Sequence, residues 1–419
     1  MSTLFEELSW RGFINQSTFS DPSELDKKKF NFYWGVDPSS SSMTVGNLAM
    51  AMMVKHFINY GHHPFLLVGG ATGMIGDPDG KREERKIMSK EDIEKNKQSI
   101  LKQYKQLFKG SEFKLVDNLD WFKDYTYLDF LRDIGKHVPL SQMLGREFVQ
   151  SRLENENSGI SYAEFSYVMI QAYDFLYLHR KYGVDMQVCG SDQWGNSVAG
   201  VDLIRRLDGD VTHVWAGPLI VNPKTNVKFG KSEAGAVWLN PEMTTPTVFY
   251  QFWVNSDDEA VEHYLKIFTM LSKEEIQSVM QQQSKQRKDR PAQFKLASEV
   301  TKLVHGAVAT DLAERVTAFL VGKTDIAKAK EADLSALRRE VPSLKSSVEG
   351  SIVGALVTSG LASSNTAARQ LISSGSIYIN NAKLSNRENF NARDFTLGRL
   401  LLRRGKAFKD SALVELAGS

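Results

Sequence analysis

The chain has 419 residues, 42% of them hydrophobic and 24% charged, with a net charge of +2 and a single cysteine. That length exceeds one ordinary core and predicts two to four domains. No apolar run is long enough to span a bilayer, the lone Cys189 excludes an internal disulfide and suits a reducing cytosol, and the acidic N-terminus MSTLFEELSWRGF lacks the flank and core of a secretory signal, so a cytoplasmic location is expected.

In chain order, residues 30–36 (FNFYWGV) and 64–70 (PFLLVGG) read as buried parallel strands, each a short apolar run ending in glycine. Residues 46–60 between them carry apolar side chains at helical spacing, which completes a βαβ unit. Residues 81–160 are mostly a charged helical pattern, read as an insertion. A third strand is expected at 184–190 (VDMQVCG), followed by the loop SDQWGN and a helix over 197–207. Residues 246–322 read as helical throughout, and a charged segment, 324–345, ends in Val341-Pro342-Ser343 and reads as a linker. The last 74 residues change character, with short strands (SIYIN, LLRRG) and a turn signal at Asn380-Asn381. They hold nine basic and five acidic residues, a modest positive charge on a slightly acidic body.

Three segments carry chemistry. In residues 33–48, YWGVDPSSSSMTVGNL, a strand ends at Gly35, where the missing side chain admits a ligand to the backbone. Asp37 and Ser39 follow on a loop, and Gly46-Asn47 opens a helix whose N-terminus suits a phosphate. A Ser-rich surface loop capped at Ser42 or Thr44 fits the same residues. Residues 69–85, GGATGMIGDPDGKREER, do not match the dinucleotide fingerprint. Asp77 there can hold an ammonium group, or form an Asp-Pro turn. In residues 227–232, VKFGKS, the P-loop reading fails because residue 225 is Thr where glycine is required. Lys228 and Lys231 can still clamp a triphosphate. The eight histidines show no zinc spacing and no serine-hydrolase elbow is present, so no metal site is expected.

These segments, in this order, resemble the tyrosyl-tRNA synthetases, class I aminoacyl-tRNA synthetases. VKFGKS is similar to the family's KMSKS-type loop. Residues 160–175 (ISYAEFSYVMIQAYDF), 190–196 (GSDQWGN), 233–239 (EAGAVWL), 249–253 (FYQFW), 296–306 (LASEVTKLVHG) and 361–380 (LASSNTAARQLISSGSIYIN) continue the likeness.

The resemblance implies roles. Tyr33 and Asp174 bind the tyrosine hydroxyl, and Asp77, Tyr167 and Gln171 hold its ammonium. Tyr167, Gln171 and Asp174 stand at i, i+4 and i+7, so one helix face presents all three. Gln193 lies at the substrate carboxylate. Asp37 and Asp192 contact adenosine and ribose, beside the close backbone approaches at Gly35, Gly46 and Gly190. Lys228, Lys231 and Ser232 form the phosphate clamp, and Lys81 and Arg85 close over pyrophosphate. Ser39, Thr44 and Asn47 stand at the first helix, where the family's HIGH signature reads Thr44-Val45-Gly46-Asn47 in this chain.

ATP is implied as substrate, with Mg2+ carried by the nucleotide. The implied partners are L-tyrosine, tRNA(Tyr), which the basic tail binds through Arg369, Arg403 and Arg404, and a second copy of the chain. Expected is a doubly wound parallel, Rossmann-like sheet over 1–222 with a helical insertion at about 81–160. A clamp loop and helical domain over 223–323, the linker 324–345, and a small α+β RNA-binding domain over 346–419 follow. Three other readings share these residues. One is the tryptophan enzyme, against which Tyr33 with Asp174 favours a phenol. Another is a catalytically weakened paralogue kept as an RNA-binding protein, which Thr44 and Asn47 would mark. The third is an oligomeric scaffold with an unused nucleotide fold, against which the intact pocket set argues.

Overall fold

The computed structural model describes residues 2–78, 88–144, 149–150, 160–221, 231–232, 235–405 and 410–417. The chain divides into two compact units, Met1–Thr244 with Ser256–Leu296, and Thr245–Asn255 with Ala297–Ser419. Among the described residues no helix is long and apolar enough to cross a membrane.

The first unit is built on a sheet of β1 (Gln16–Ser17), β2 (Asn31–Val36), β3 (His63–Val68), β4 (Lys114–Asp117), β5 (Met186–Gly190) and β6 (His213–Gly217). Their order is β1-β6-β5-β2-β3-β4, with β1 antiparallel and the other five parallel. Helices cover both faces, so the central strands are apolar on both. In β2, Phe32 meets Phe57 of α2 (Val45–Asn59), and Trp34 meets Tyr104 of α4 (Lys90–Leu107). Tyr33, facing the other way, packs on Phe175 of α8 (Tyr162–Tyr182). Burying each such side chain contributes about 1.5–3 kcal/mol. Truncating Trp34 to alanine costs roughly 3–5 kcal/mol because the cavity cannot collapse.

Short helices α1 (Leu4–Arg11), α3 (Thr72–Ile75), α5 (Leu119–Phe122), α6 (Tyr127–Asp133) and α7 (Leu140–Leu144) flank these, and α9 (Trp194–Leu207) follows β5. Arg11 is buried, and its guanidinium donates to the carbonyls of Lys266, Thr269 and Leu271 at 2.7, 2.9 and 2.7 Å, capping the helix Val261–Phe268.

The helical insertion is narrower than its charge pattern suggests. Lys114–Asp117 pairs in parallel with β3, so α4 is a crossover helix of the sheet itself. With four residues and only partial burial, KLVD leaves no strand signal inside a charged run. α5, α6 and α7 come after β4.

In the second unit, β9 (Ser343–Ser346), β10 (Ile377–Ile379), β11 (Ala382–Lys383), β12 (Arg399–Arg404) and β13 (Ser411–Leu416) form a sheet in the order β11-β10-β12-β13-β9. Asn380 and Asn381, at φ 45° and 73°, make the two-residue left-handed turn between β10 and β11. The segment 324–345 read as a linker contains the helix Glu331–Glu340 and most of β9. Leu334, Leu337 and Val341 are buried there against Phe319, Leu401 and Leu413. After Ala332 only Leu334, Ala336 and Leu337 break the polar pattern of EADLSALRRE, so the sequence undersells its packing.

Candidate active site

Strand order reverses between β2 and β5, and an open parallel sheet binds its ligands at the carboxyl ends of strands beside such a reversal. β2 and β5 pair only at Phe32 with Met186 and Tyr33 with Gln187. Beyond Tyr33 the strands part, and Gly35 and Gly190 follow on either side of the gap. The loop after β3 brings up the next polar groups. A Cβ on Gly69 would run into both Asp37 Oδ1 and Thr72 Oγ1, so glycine is what lets those two meet.

A continuous hydrogen-bonded chain starts there. Thr72 Oγ1 donates to Asp37 Oδ1 at 2.6 Å, and the Tyr167 hydroxyl donates to Asp37 Oδ2 at 2.7 Å. Asn118 directly follows β4 and is fully buried. Its Nδ2 donates to Thr72 Oγ1 and to Asp174 Oδ2, both at 3.1 Å, and its Oδ1 accepts from the Ala71 N–H at 2.7 Å. Trp121 Nε1 donates to Asp174 Oδ1 at 2.9 Å. Burial pushes the Asp174 carboxyl up to about 8. Its two donors pull against that rise, while Asp37 and Asp117 add to it.

Tyr33 completes this end. Its buried hydroxyl has no hydrogen-bond partner among the described residues. Burial, then Asp174 and Cys189, holds it well above the usual phenol range, so it is a neutral donor. An orphaned buried hydroxyl costs about 1–3 kcal/mol until something meets it. A guest hydroxyl that accepts from Tyr33 would satisfy it, and can donate in turn to Asp174, which already accepts from Asn118 and Trp121.

Asp77, just after α3, accepts from Gln193 Nε2 at 2.5 Å, and Gln193 Oε1 accepts from Asn196 Nδ2 at 3.2 Å. Burial first, then the charges of Asp37 and Asp77, holds the Tyr167 hydroxyl well above its ordinary ionisation. Half-buried Gln171 sits one turn along α8 on the same face as Tyr167 and Asp174. Asp192 is exposed in the turn Ser191–Gln193 that ends β5.

At the other end of the crevice α2 begins. The Thr44 N–H and Oγ1 both donate to Asn47 Oδ1, at 2.9 and 3.0 Å. Gln103 of α4 accepts from the Met43 N–H at 2.8 Å and donates to Ser42 Oγ at 2.9 Å, and Asn96 donates to the Pro38 carbonyl at 3.0 Å. Ser39 is exposed, its N–H on the Asp37 carbonyl at 2.8 Å. Gly46 lies in the first turn of α2. Residues 237–239 run antiparallel alongside, with the Val45 N–H on the Val237 carbonyl at 3.0 Å and the Leu239 N–H on the Met43 carbonyl at 2.9 Å. The chain leaving VKFGKS is therefore tied to TVGN. Within it, β7 (Lys231–Ser232) pairs with β8 (Gly235–Ala236). Lys81, Arg85 and Lys228 lie outside the described residues.

Residues 25–321 match the model of the class I tRNA synthetases for tryptophan and tyrosine, and residues 333–409 match the SYY-like C-terminal domain of tyrosine–tRNA ligases. A tyrosine–tRNA ligase of Streptomyces coelicolor is 42% identical, covering 100% of both chains. One of Roseiflexus castenholzii is 42% identical over 91% of this chain and 92% of its own. The chain belongs to the tyrosyl-tRNA synthetases. Among solved structures, a C-terminally truncated mitochondrial tyrosyl-tRNA synthetase of Aspergillus nidulans matches with a TM-score of 0.67 at 31% identity, over 75% of this chain and 93% of that one. A tryptophanyl-tRNA synthetase of Encephalitozoon cuniculi, at 12% identity and a TM-score of 0.53 over 79% and 89%, shares the fold alone.

Three residues of this synthetase site escape a reading of the sequence: Thr72, Asn118 and Trp121. Asn118 stands at the carboxyl end of a parallel strand, the position that marks ligand loops in such sheets, but that four-residue, partly buried strand gives no signal of its own inside a charged run. In the tail, the arginines have local partners. Arg369 pairs with Glu388 at 2.9 Å, Arg403 donates to the Leu320 carbonyl at 3.0 Å, and Arg404 donates to the Leu361 carbonyl at 2.9 Å and to Asp410 at 2.7 Å.

Proposed function

We propose that this synthetase activates L-tyrosine with ATP and transfers it to the 3′ end of tRNA(Tyr). The observation that carries the reading is the orphaned Tyr33 hydroxyl at the same end of the pocket as the Asp174 carboxyl. A phenol meets the Tyr33 hydroxyl and adds a donor to Asp174, whereas phenylalanine leaves the buried Tyr33 hydroxyl unmet. An indole offers one N–H and no acceptor, so it can serve Asp174 and not Tyr33.

Two displacements follow. An oxygen of the tyrosine carboxylate attacks the α-phosphorus of ATP, the bond to the β-phosphate oxygen breaks, and pyrophosphate leaves. A hydroxyl of the terminal ribose then attacks the tyrosyl carbonyl, AMP leaves, and the hydroxyl proton is released. Neither step needs a protein nucleophile, so catalysis rests on positioning and charge. Asp77, Tyr167 and Gln171 hold the ammonium, and Gln193, already on Asp77, faces the carboxylate. Asp37 and Asp192 take adenosine and ribose, where Gly35, Gly46 and Gly190 allow the nucleotide close to the backbone. Ser39, Asn47, Lys228, Lys231, Ser232, Lys81 and Arg85 address the phosphates, and Mg2+ enters with ATP.

The basic tail binds tRNA, with Arg369, Arg403 and Arg404 contributing shape and charge beside their internal bonds. Exposed apolar side chains at Tyr127, Leu128, Leu140 and Tyr162 support a homodimer through this face. The enzyme works in the cytoplasm. Tyrosine-dependent exchange of labelled pyrophosphate into ATP tests the reading: exchange is expected with tyrosine and not with phenylalanine or tryptophan. Binding of tyrosine and tRNA without exchange would overturn it.

A further inference from the structure

We propose that Thr44 is a positioning residue that aims Asn47 at the nucleotide and makes no phosphate contact of its own. The inference rests on reading the start of α2 as the phosphate end of the site.

The argument is one of donor supply. A threonine hydroxyl has a single proton, and in this chain it is given to Asn47 Oδ1 at 3.0 Å. What Oγ1 has left is lone pairs, which a phosphate oxygen repels. Asn47 is in the opposite condition. A backbone N–H can only donate, so the 2.9 Å contact from the Thr44 N–H identifies the facing atom as Oδ1. Two donors on Oδ1 fix the amide plane and turn both Nδ2 protons outward as donors for an anion.

Thr44 is itself held from two sides. Met43 before it is clamped by Gln103, and Val45 after it by the Val237 carbonyl. The backbone at Thr44 is extended, at φ −100° and ψ 172°. Swinging Oγ1 toward a phosphate would therefore release Asn47 without moving the backbone closer. The arrangement divides a two-donor signature into one donor, Asn47, and one residue that orients it.

The test is a double-mutant cycle on the full chain, read as kcat and KM in tyrosine-dependent pyrophosphate exchange. Thr44→Val, close in shape but lacking the hydroxyl, is expected to lower kcat about tenfold, the loss of one neutral hydrogen bond, with the tyrosine KM unchanged. Thr44→Ser recovers most of that loss. Asn47→Ala lowers kcat roughly 10²-fold, as for a lost transition-state donor, and the Thr44→Val/Asn47→Ala double variant is no slower than Asn47→Ala alone. Because Asn47→Ala also weakens the start of α2, Asn47→Asp is the companion variant. It keeps the acceptor for Thr44 and a wild-type melting temperature but removes the donors, and is expected to lose as much kcat as alanine. Losses that multiply in the double variant show that Thr44 acts independently and overturn the proposal, as does an inert Thr44→Val beside a crippled Asn47→Ala. If Asn47→Ala and Asn47→Asp both exchange normally while tyrosine is still activated, the phosphate reading of this helix start falls with it.

Discussion

The two ends of the crevice are built on opposite plans. At the end proposed to take tyrosine, Asp174, Asn118, Thr72, Asp37, Tyr167 and Trp121 form one chain of hydrogen bonds, most of it buried, in which each group's orientation depends on the next. At the end proposed to take the phosphates, short side chains on a loop and a helix start are braced from behind by Gln103, Asn96 and residues 237–239. The first plan suits discrimination of a neutral hydroxyl, because a dry site makes an unmet polar group costly. The second suits charge that moves during reaction, which exposed donors meet without prior desolvation. Binding and catalysis should therefore separate when either end is altered.

The largest effect is expected at the phosphate end. Lys231→Ala should slow adenylate formation about 10²–10³-fold while tyrosine affinity and melting temperature stay as they are. Rapid-quench measurement of adenylate against equilibrium tyrosine binding separates the two. A parallel loss of tyrosine affinity would merge the ends and end the comparison.

Asp174→Ala should do the reverse. It removes the acceptor of Trp121 Nε1 and one of two acceptors of Asn118 Nδ2, and each buried donor left unmet costs about 1–3 kcal/mol. Tyrosine binding is expected to weaken by roughly 10–100-fold, phenylalanine binding hardly at all, and the melting temperature to drop. Equal losses for the two amino acids would take Asp174 out of hydroxyl recognition.

How much of this is legible without coordinates follows the same division. β2, β3, β5, α2 and α9 announce themselves through apolar runs ending in glycine and through helical period, and Tyr167, Gln171 and Asp174 share a helix face by spacing alone. Asn118 and Trp121 do not, because they lie 56 and 53 residues from Asp174 and follow a four-residue strand hidden in a charged segment. Nothing local joins them to the carboxylate they serve. The pairing of Thr44 with Asn47 is legible as a helix start, but which atom donates is a matter of geometry. The helix Glu331–Glu340 is masked by its surface charge, with Leu334, Ala336 and Leu337 the short trace of its packed face.

A smaller effect is expected from Trp121→Phe. The ring contact with Tyr177, stacked at 4.5 Å, can persist, but Asp174 Oδ1 loses its donor. A hydrogen bond to the charged form favours that form, so its loss raises the Asp174 carboxyl further. Tyrosine affinity should fall about 3–10-fold near neutral pH, with most of the loss recovered in alkaline buffer as Asp174 ionises. An affinity loss that is flat with pH would assign Trp121 to shape alone.

The last test reads the proton itself. Asp174 at about 8 in the folded chain, against an ordinary value of 3.8, keeps a proton that the unfolded chain releases. A folded-state value raised in this way stabilises fully below the ordinary carboxylate range and loses that contribution as pH rises through about 8. Between those limits the wild-type melting temperature should fall with rising pH relative to Asp174→Asn, which cannot titrate, and above them the two slopes should agree. Tyrosine binding reads the same proton from the other side. A phenol that donates to Asp174 needs the ionised carboxylate, so binding at pH 7 should release roughly one proton, measurable by calorimetry in buffers of different ionisation heat and absent in Asp174→Asn. No proton release, with selectivity intact, would mean that the neutral acid donates to the phenol and that Tyr33 is the acceptor, reversing the direction of both hydrogen bonds at the closed end of the pocket.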